Sequence, residues 1–334
     1  MGNVTKNQHY VWKYYLSAWT NNGMLTGKVA VHRKEQAFTL DKSSLEKLAS
    51  SNYTYCYSEV TAADIEFIDA YIQGIDTKFD IIKPYIQRIT TVLKNHSGDN
   101  DFFEKELVCK IENAGMPFLE RLRAGDISCV PENPVTTYIN KQRKQLFQAL
   151  LGQESIPKVS TDVMRKVIEC DYDDSLFDFY HFMMFQFFRT RKTKIANKNA
   201  LESLKECNPK YVAINSDTIF MATLMIDSFI WANMLLNKDF KVILINNDTN
   251  EPFIVSDAPI LNLDADPDGK VQPENLRLFY PITPKLAIIV AESDYVPNTH
   301  LDVGEVEYLN TLVYKHAFNE VYAIERSTLD KYIQ

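Results

Sequence analysis

Apolar positions along this chain come in two rhythms, one at strand spacing near the ends and one at helix spacing through the middle. Toward the C-terminal end, two β-branched stretches, EPFIVSDAPIL from Glu251 and LRLFYPITPKLAIIVAE closing at Glu292, flank a polar excursion. Each carries a compact polar group, Ser256-Asp257 ahead of Pro259 and Thr283-Pro284-Lys285 after Pro281. The pattern predicts two paired strands whose ends present side chains to a site. Strands are predicted over 28–33, 240–245, 252–255, 286–291 and 320–324, with a turn at 246–248 and an extended segment through the alternating Tyr53, Tyr55 and Tyr57.

Helical spacing begins with Tyr10, Tyr14 and Ala18, which predict a short helix in the aromatic N-terminal segment, and a small helix is expected over 43–49. Thr61 with Asp64 three residues on fits a capping box for a helix striped by Ile65, Ile68, Ile72 and Ile75, with Pro84 kinking or ending it before the pattern resumes to Leu93. Helices are also predicted over 101–113, 117–123, 134–151 and 302–316, with a polar link over 152–160. The run LFDFYHFMMFQFFRTR, 176–191, is apolar on every face and should pass through the core, and a second apolar helix covers 219–236. The basic residues Arg189, Arg191, Lys192 and Lys194 read as the charged end of the first, where a helix C-terminus favours cations.

Helices dominate 60–238 and strands gather at both ends, so the expected fold class is α+β. A mixed or antiparallel sheet built from N- and C-terminal strands packs on a mainly helical middle, within a single domain spanning 1–334 whose strand-rich region is 239–334. A net charge of −8 makes the body acidic, and any nucleic-acid binding must use a local basic site. Cys56, Cys109, Cys129, Cys170 and Cys207 are widely spaced with no paired Cys/His motif, which suits reduced thiols in a cytoplasmic protein. No secretory h-region and no membrane span are expected from the hydropathy of the sequence.

Four segments together resemble one family. NQHYVWKYYLSAW is similar to the opening signature of the functionally uncharacterised DUF4238 family, matching at Asn7, Gln8, His9, Tyr10, Val11, Tyr15, Leu16 and Trp19, with Trp12 where that family usually has Pro. FFRTRKTK resembles its Arg-Thr segment at Arg189 and Thr190. FIVSDAPIL resembles its Ser-Asp-Asn-Pro-Val element at Ser256, Asp257 and Pro259, with Ala258 replacing Asn. FYPITPKLAI is similar to its Pro-Leu-Ser-Pro strand, and Asn310 fits a late Asn. The resemblance implies positions and no mechanism.

Polar residues at these positions define the candidate chemistry. His9 is suited to acid/base work or ligation, Arg189 and Arg191 to gripping a phosphate or carboxylate in a fork, and Asp257 to orienting His9 or binding a divalent metal. Ser256 and Lys285 would add substrate contacts. Convergence at one sheet edge would give a phosphoester hydrolase, nuclease-like and acting on nucleic acid or nucleotides, of the kind used as a toxin or defence effector. The competing expectation is a non-enzymatic ligand- or protein-binding module in which the same residues form a structural network. There, Asp257 makes ordinary turn bonds and Arg189 pairs with a buried acid, Asp257 being one candidate.

Overall fold

Two apolar helices carry the centre of the molecule. A computed structural model describes residues 7–52, 59–75, 83–130, 175–237, 240–266 and 273–333. The extended segment at Tyr53–Tyr57, the helix at 134–151 and the link at 152–160 lie outside these. Helix Ser175–Phe188 buries Phe179, Tyr180, Phe182, Met183, Met184 and Phe185 almost completely, as its all-round apolar sequence requires. It packs between helices Cys109–Arg123 and Ser216–Asn237. Gly115 makes the first approach close, since a Cβ there would stand 2.4 Å from that of Phe182. A 21-residue stretch of the other helix, Ser216–Leu236, is long and apolar enough to cross a bilayer by length and composition, contrary to the reading from sequence. Most of it is buried inside the fold, where it serves as a core helix.

In chain order the helices are α1 (Lys13–Leu16), α2 (Ala62–Gly74), α3 (Lys83–Asn95), α4 (Asn100–Phe102), α5 (Cys109–Arg123), α6 (Ser175–Phe188), α7 (Arg191–Cys207), α8 (Ser216–Asn237), α9 (Val303–His316) and α10 (Arg326–Asp330). The Thr61–Asp64 box forms as expected, each side chain accepting the other's backbone N–H. Pro84 falls in the first turn of α3, where its missing N–H is harmless. The break expected near 114–116 does not occur. A π-helical turn, Phe103–Val108, joins α4 to α5, and α5 runs through Pro117. An interior proline costs about 3 kcal/mol. Burying Phe118, Leu119 and Leu122 at 1% exposure or less returns more, at roughly 1.5–3 kcal/mol each.

The strands are β1 (Asn7–His9), β2 (Lys28–Arg33), β3 (Phe38–Ser44), β4 (Ser50–Asn52), β5 (Phe240–Asn247), β6 (Val255–Ser256), β7 (Leu261–Asn262), β8 (Leu278–Thr283), β9 (Leu286–Glu292), β10 (His300–Leu301) and β11 (Glu320–Ala323). The fold is α+β, and strands from both ends of the chain do share a sheet. A four-stranded antiparallel sheet runs β3-β2-β11-β6, with Val321 opposite His32 and Ser256. A second, mixed sheet runs β10-β5-β9-β8-β7, its β10–β5 pair parallel. The two motif-bearing stretches are therefore only partly paired: β7 joins β8, while Val255–Ser256 leaves for the other sheet.

The N-terminal motif opens with a strand, and the helix expected from Tyr10 to Ala18 forms only in part. β1 pairs with β4, and the helix shrinks to α1 and a 3₁₀ turn, Ser17–Trp19. Tertiary contacts decide this. The Tyr15 hydroxyl donates to Pro281 O at 2.6 Å and Trp19 Nε1 to Phe253 O at 2.8 Å, tying the aromatic segment to β8 and to the approach to β6.

Candidate functional site

β1 is the spine on which two polar networks meet. On one side, Gln186 of α6 donates through Nε2 to Tyr10 O at 2.8 Å, while its Oε1 accepts the Trp12 N–H at 3.3 Å and Arg189 Nη2 at 2.7 Å. Arg189, with 0% side-chain exposure, donates through Nη1 to Glu112 Oε1 at 2.5 Å. Its acidic partner is thus Glu112, and the expected pairing with Asp257 is corrected: α6 points the guanidinium at α5. Gln8 reaches Glu104 in the π-helical turn at 3.2 Å. His9 sets Nδ1 against Leu48 O at 3.0 Å. Burial, then Lys13 and Arg189, push its pKa down to about 4, so the ring is neutral near pH 7.

On the other side lies Asp257, 1% exposed. Its Oδ1 accepts the Phe318 N–H at 2.9 Å, and Oδ2 accepts those of Asn319 at 2.8 Å and Glu320 at 3.0 Å. Burial drives its pKa up to about 6 against these three bonds, with the neighbouring Glu320 adding to the rise. Glu320 is itself engaged on every side, accepting Arg33 Nε at 2.8 Å, the Ala49 N–H at 2.9 Å and the Tyr322 hydroxyl at 2.6 Å. Ser256 bonds within its own turn, to Ala258 O and N. Ala49 takes a left-handed φ of 44°, unusual for alanine, and is held there from both ends. Its N–H goes to Glu320 and its carbonyl accepts the amides of Tyr10 and Val11.

Tyr10 stands between the networks and is only 4% exposed. No hydrogen bond reaches its hydroxyl among the described residues. Burial, then Glu320 and Asp257, raise the phenol's pKa, while Arg191 and Arg33 act in the opposite sense.

The basic cluster beside Tyr10 sits differently from its expected place. α6 ends at Phe188; Thr190 is extended and accepts the Thr193 N–H, capping a new 17-residue helix, α7. Arg191, Lys192 and Lys194 therefore occupy an N-terminal turn, where the macrodipole opposes cations. Lys194 pairs with Asp217 at 2.8 Å. Arg191 lies over the half-buried Phe318 ring at 5.5 Å. Lys34 donates to Tyr314 O and Ala317 O at the end of α9. Burial lowers the pKa of Lys34, with Asp257 opposing and Lys192 adding to the fall, and burial and Lys192 lower that of His316.

A family model described as a protein of unknown function, DUF4238, matches residues 7–327. The chain belongs to the DUF4238 family. No curated protein and no solved structure matches it.

Most of the DUF4238-like positions in this chain are engaged in holding its segments together. Asn310 accepts the Ile254 N–H at 3.0 Å and donates to Pro252 O at 2.9 Å, docking the strap before β6. Of the residues singled out from sequence, Arg189 belongs to the first network and Asp257 to the second; His9 bonds Leu48 O, Ser256 bonds within its own turn, and Arg191 lies over Phe318. Lys285 stands apart, exposed at the β8–β9 turn with its ammonium on Thr249 O. Among the described residues no group of three or more His, Cys, Asp or Glu side chains is placed to hold a metal ion, so a ligand role for Asp257 finds no co-ligands there. Gln186, Glu112, Glu320 and Tyr10 were missed as functional positions. Only Tyr10 carried a signal, its place inside the motif.

Proposed function

We propose that the chain binds a phosphate-bearing ligand where the first turn of α7 meets the end of α9, and that the buried motif network is the framework holding that edge. Arg191 carries the reading: it is exposed in the first turn of α7, has no ion pair among the described residues, and lies 5.5 Å from the Phe318 ring centroid, while the Tyr10 hydroxyl makes no hydrogen bond among the described residues. A charged ligand oxygen accepting from the Tyr10 hydroxyl would add a hydrogen bond worth about 1.5–3 kcal/mol. An anion at this place also turns the dipole of α7 from opposing its neighbours to holding the ligand, alongside Arg191 and Lys192. The nearby carboxylates do not repel it strongly, since three backbone N–H groups offset Asp257 and Arg33 offsets Glu320. The free thiols of Cys109 and Cys207 suit a cytoplasmic setting for this role.

Titrating the protein with inorganic phosphate tests the reading. Wild type binds with a salt-dependent affinity, and the Arg191→Ala/Lys192→Ala double variant loses roughly tenfold or more while melting normally, because exposed charges contribute little to folding. Equal affinity in the variant, or no binding by wild type, contradicts the proposal.

Phosphoester hydrolysis, nuclease-like and serving as a toxin or defence effector, is the second reading. The observation favouring it is Asp257, whose pKa near 6 beside Glu320 suits proton transfer around neutral pH. It requires turnover of RNA, DNA or nucleotides, with or without a divalent metal, and none of that turnover in Asp257→Asn under conditions where circular dichroism shows that variant still folded.

A further inference from the structure

We propose that the outer face of α7 is a contact surface for a second copy of this chain, packed antiparallel on the same helix. The inference goes beyond the phosphate reading and does not depend on it. α7 is 17 residues long, yet Leu201 is its one buried side chain. Polar contacts hold the rest of its inner face on α8. Lys194 pairs with Asp217 at 2.8 Å, Asn197 Nδ2 donates to Thr223 Oγ1 at 3.3 Å, and Glu202 accepts the Ser216 hydroxyl at 2.8 Å. The opposite face lies open to solvent along its whole length. Lys192, Ala196, Asn199, Ser203 and Glu206 are all exposed and follow one another at the alternating four- and three-residue spacing of a helix stripe.

The order of charge along α7 is the reverse of what its own dipole favours. Arg191, Lys192, Lys194 and Lys198 fill the N-terminal half, while both acids, Glu202 and Glu206, lie in the C-terminal half. Cations near a helix N-terminus and anions near its C-terminus are each opposed. Like charges also stand four residues apart, at Lys194/Lys198 and Glu202/Glu206, which disfavours the lone helix further. An antiparallel copy answers this pattern, since the basic end of one helix meets the acidic end and negative pole of the other. Asn199 stands midway between Lys192 and Glu206 on the open stripe. A two-fold axis at Asn199 therefore sets Lys192 of each copy beside Glu206 of the other, whereas parallel packing would oppose like charges. Neither Lys192 nor Glu206 has an ion pair or hydrogen bond among the described residues, while Lys194 and Lys205 are engaged by Asp217 and Glu202. Ala196 and Ser203 flank the axis and are small enough to let the backbones approach. One helix face buries less than the roughly 1,200 Å² of a stable interface, so the dimer is weak and salt-sensitive.

Sedimentation velocity of the full chain at low salt, over about 10 μM to 1 mM, tests this. Wild type is expected to shift from monomer to dimer across that range. Glu206→Lys turns two attractive contacts into repulsive ones and weakens the dimer about tenfold or more. The charge swap Lys192→Glu/Glu206→Lys restores opposite charges across the axis and returns association to within about threefold of wild type. Both variants melt at or above the wild-type temperature, because each new charge suits the α7 dipole, so lost association is not lost folding. A wild type that stays monomeric at the top of the range overturns the inference. So does a dimer that Glu206→Lys leaves as strong, which places the contact on another surface, and so does a swap that fails to restore it.

Discussion

Asp257→Ala is expected to lower the unfolding free energy by about 3–5 kcal/mol, measured by urea denaturation, because three buried backbone donors lose their acceptor at once. Each unsatisfied N–H costs roughly 1–3 kcal/mol. Part of the sum is offset, since burial holds the carboxylate itself in an unfavourable state, as its pKa of about 6 records. Asparagine does not rescue the site. Its amide replaces one acceptor oxygen with a donor, leaving either the Phe318 N–H or those of Asn319 and Glu320 facing another N–H. A loss below about 1 kcal/mol in Asp257→Ala would mean that the residue is not a framework carboxylate, since surface substitutions produce changes of that size.

Arg189→Met is expected to cost a similar amount, about 3–5 kcal/mol, by breaking a buried ion pair from one side. Glu112, with 14% of its side chain exposed, would be left charged without its guanidinium, and Gln186 would lose one donor while still bonding Trp12 and Tyr10. The sign of the double variant discriminates between causes. Arg189→Met/Glu112→Leu replaces the pair with apolar groups and is expected to be more stable than Arg189→Met alone, because the uncompensated charge has gone. A double variant less stable than either single one would show that the pair matters through some other contact.

The legible parts of this fold were those whose cause is local. The Thr61–Asp64 box, the all-round apolar run of α6 and the helix expected over 302–316 depend on residues close in sequence, and each is where its spacing puts it. What escaped is long-range. β1 became a strand because Ser50–Asn52 lies alongside it and because Tyr15 and Trp19 reach backbone carbonyls more than 200 residues away. The α6–α7 boundary rests on one threonine, whose side chain caps a helix inside a stretch, FFRTRK, that periodicity reads as continuous. That single residue changes the meaning of the basic cluster, from cations eased by a C-terminus to cations opposed by an N-terminus. The polar motif positions could be picked out from the sequence; their bonding could not, since Arg189 finds Glu112 at a separation of 77 residues and Asp257 finds the 318–320 backbone at 61 to 63.

The most direct test of the proposed ligand site is a pair of numbers from Tyr10→Phe: its melting temperature and its affinity for inorganic phosphate. The substitution deletes one hydroxyl and leaves the ring in place. If that hydroxyl awaits a ligand, the free protein melts at or above the wild-type temperature, because a polar atom lacking a partner has been removed, while phosphate affinity falls by roughly 1.5–3 kcal/mol, the contribution of a hydrogen bond to a charged group. A Tyr10→Phe protein that is destabilised and binds phosphate as wild type does would contradict the account, and would make Tyr10 one more member of the framework.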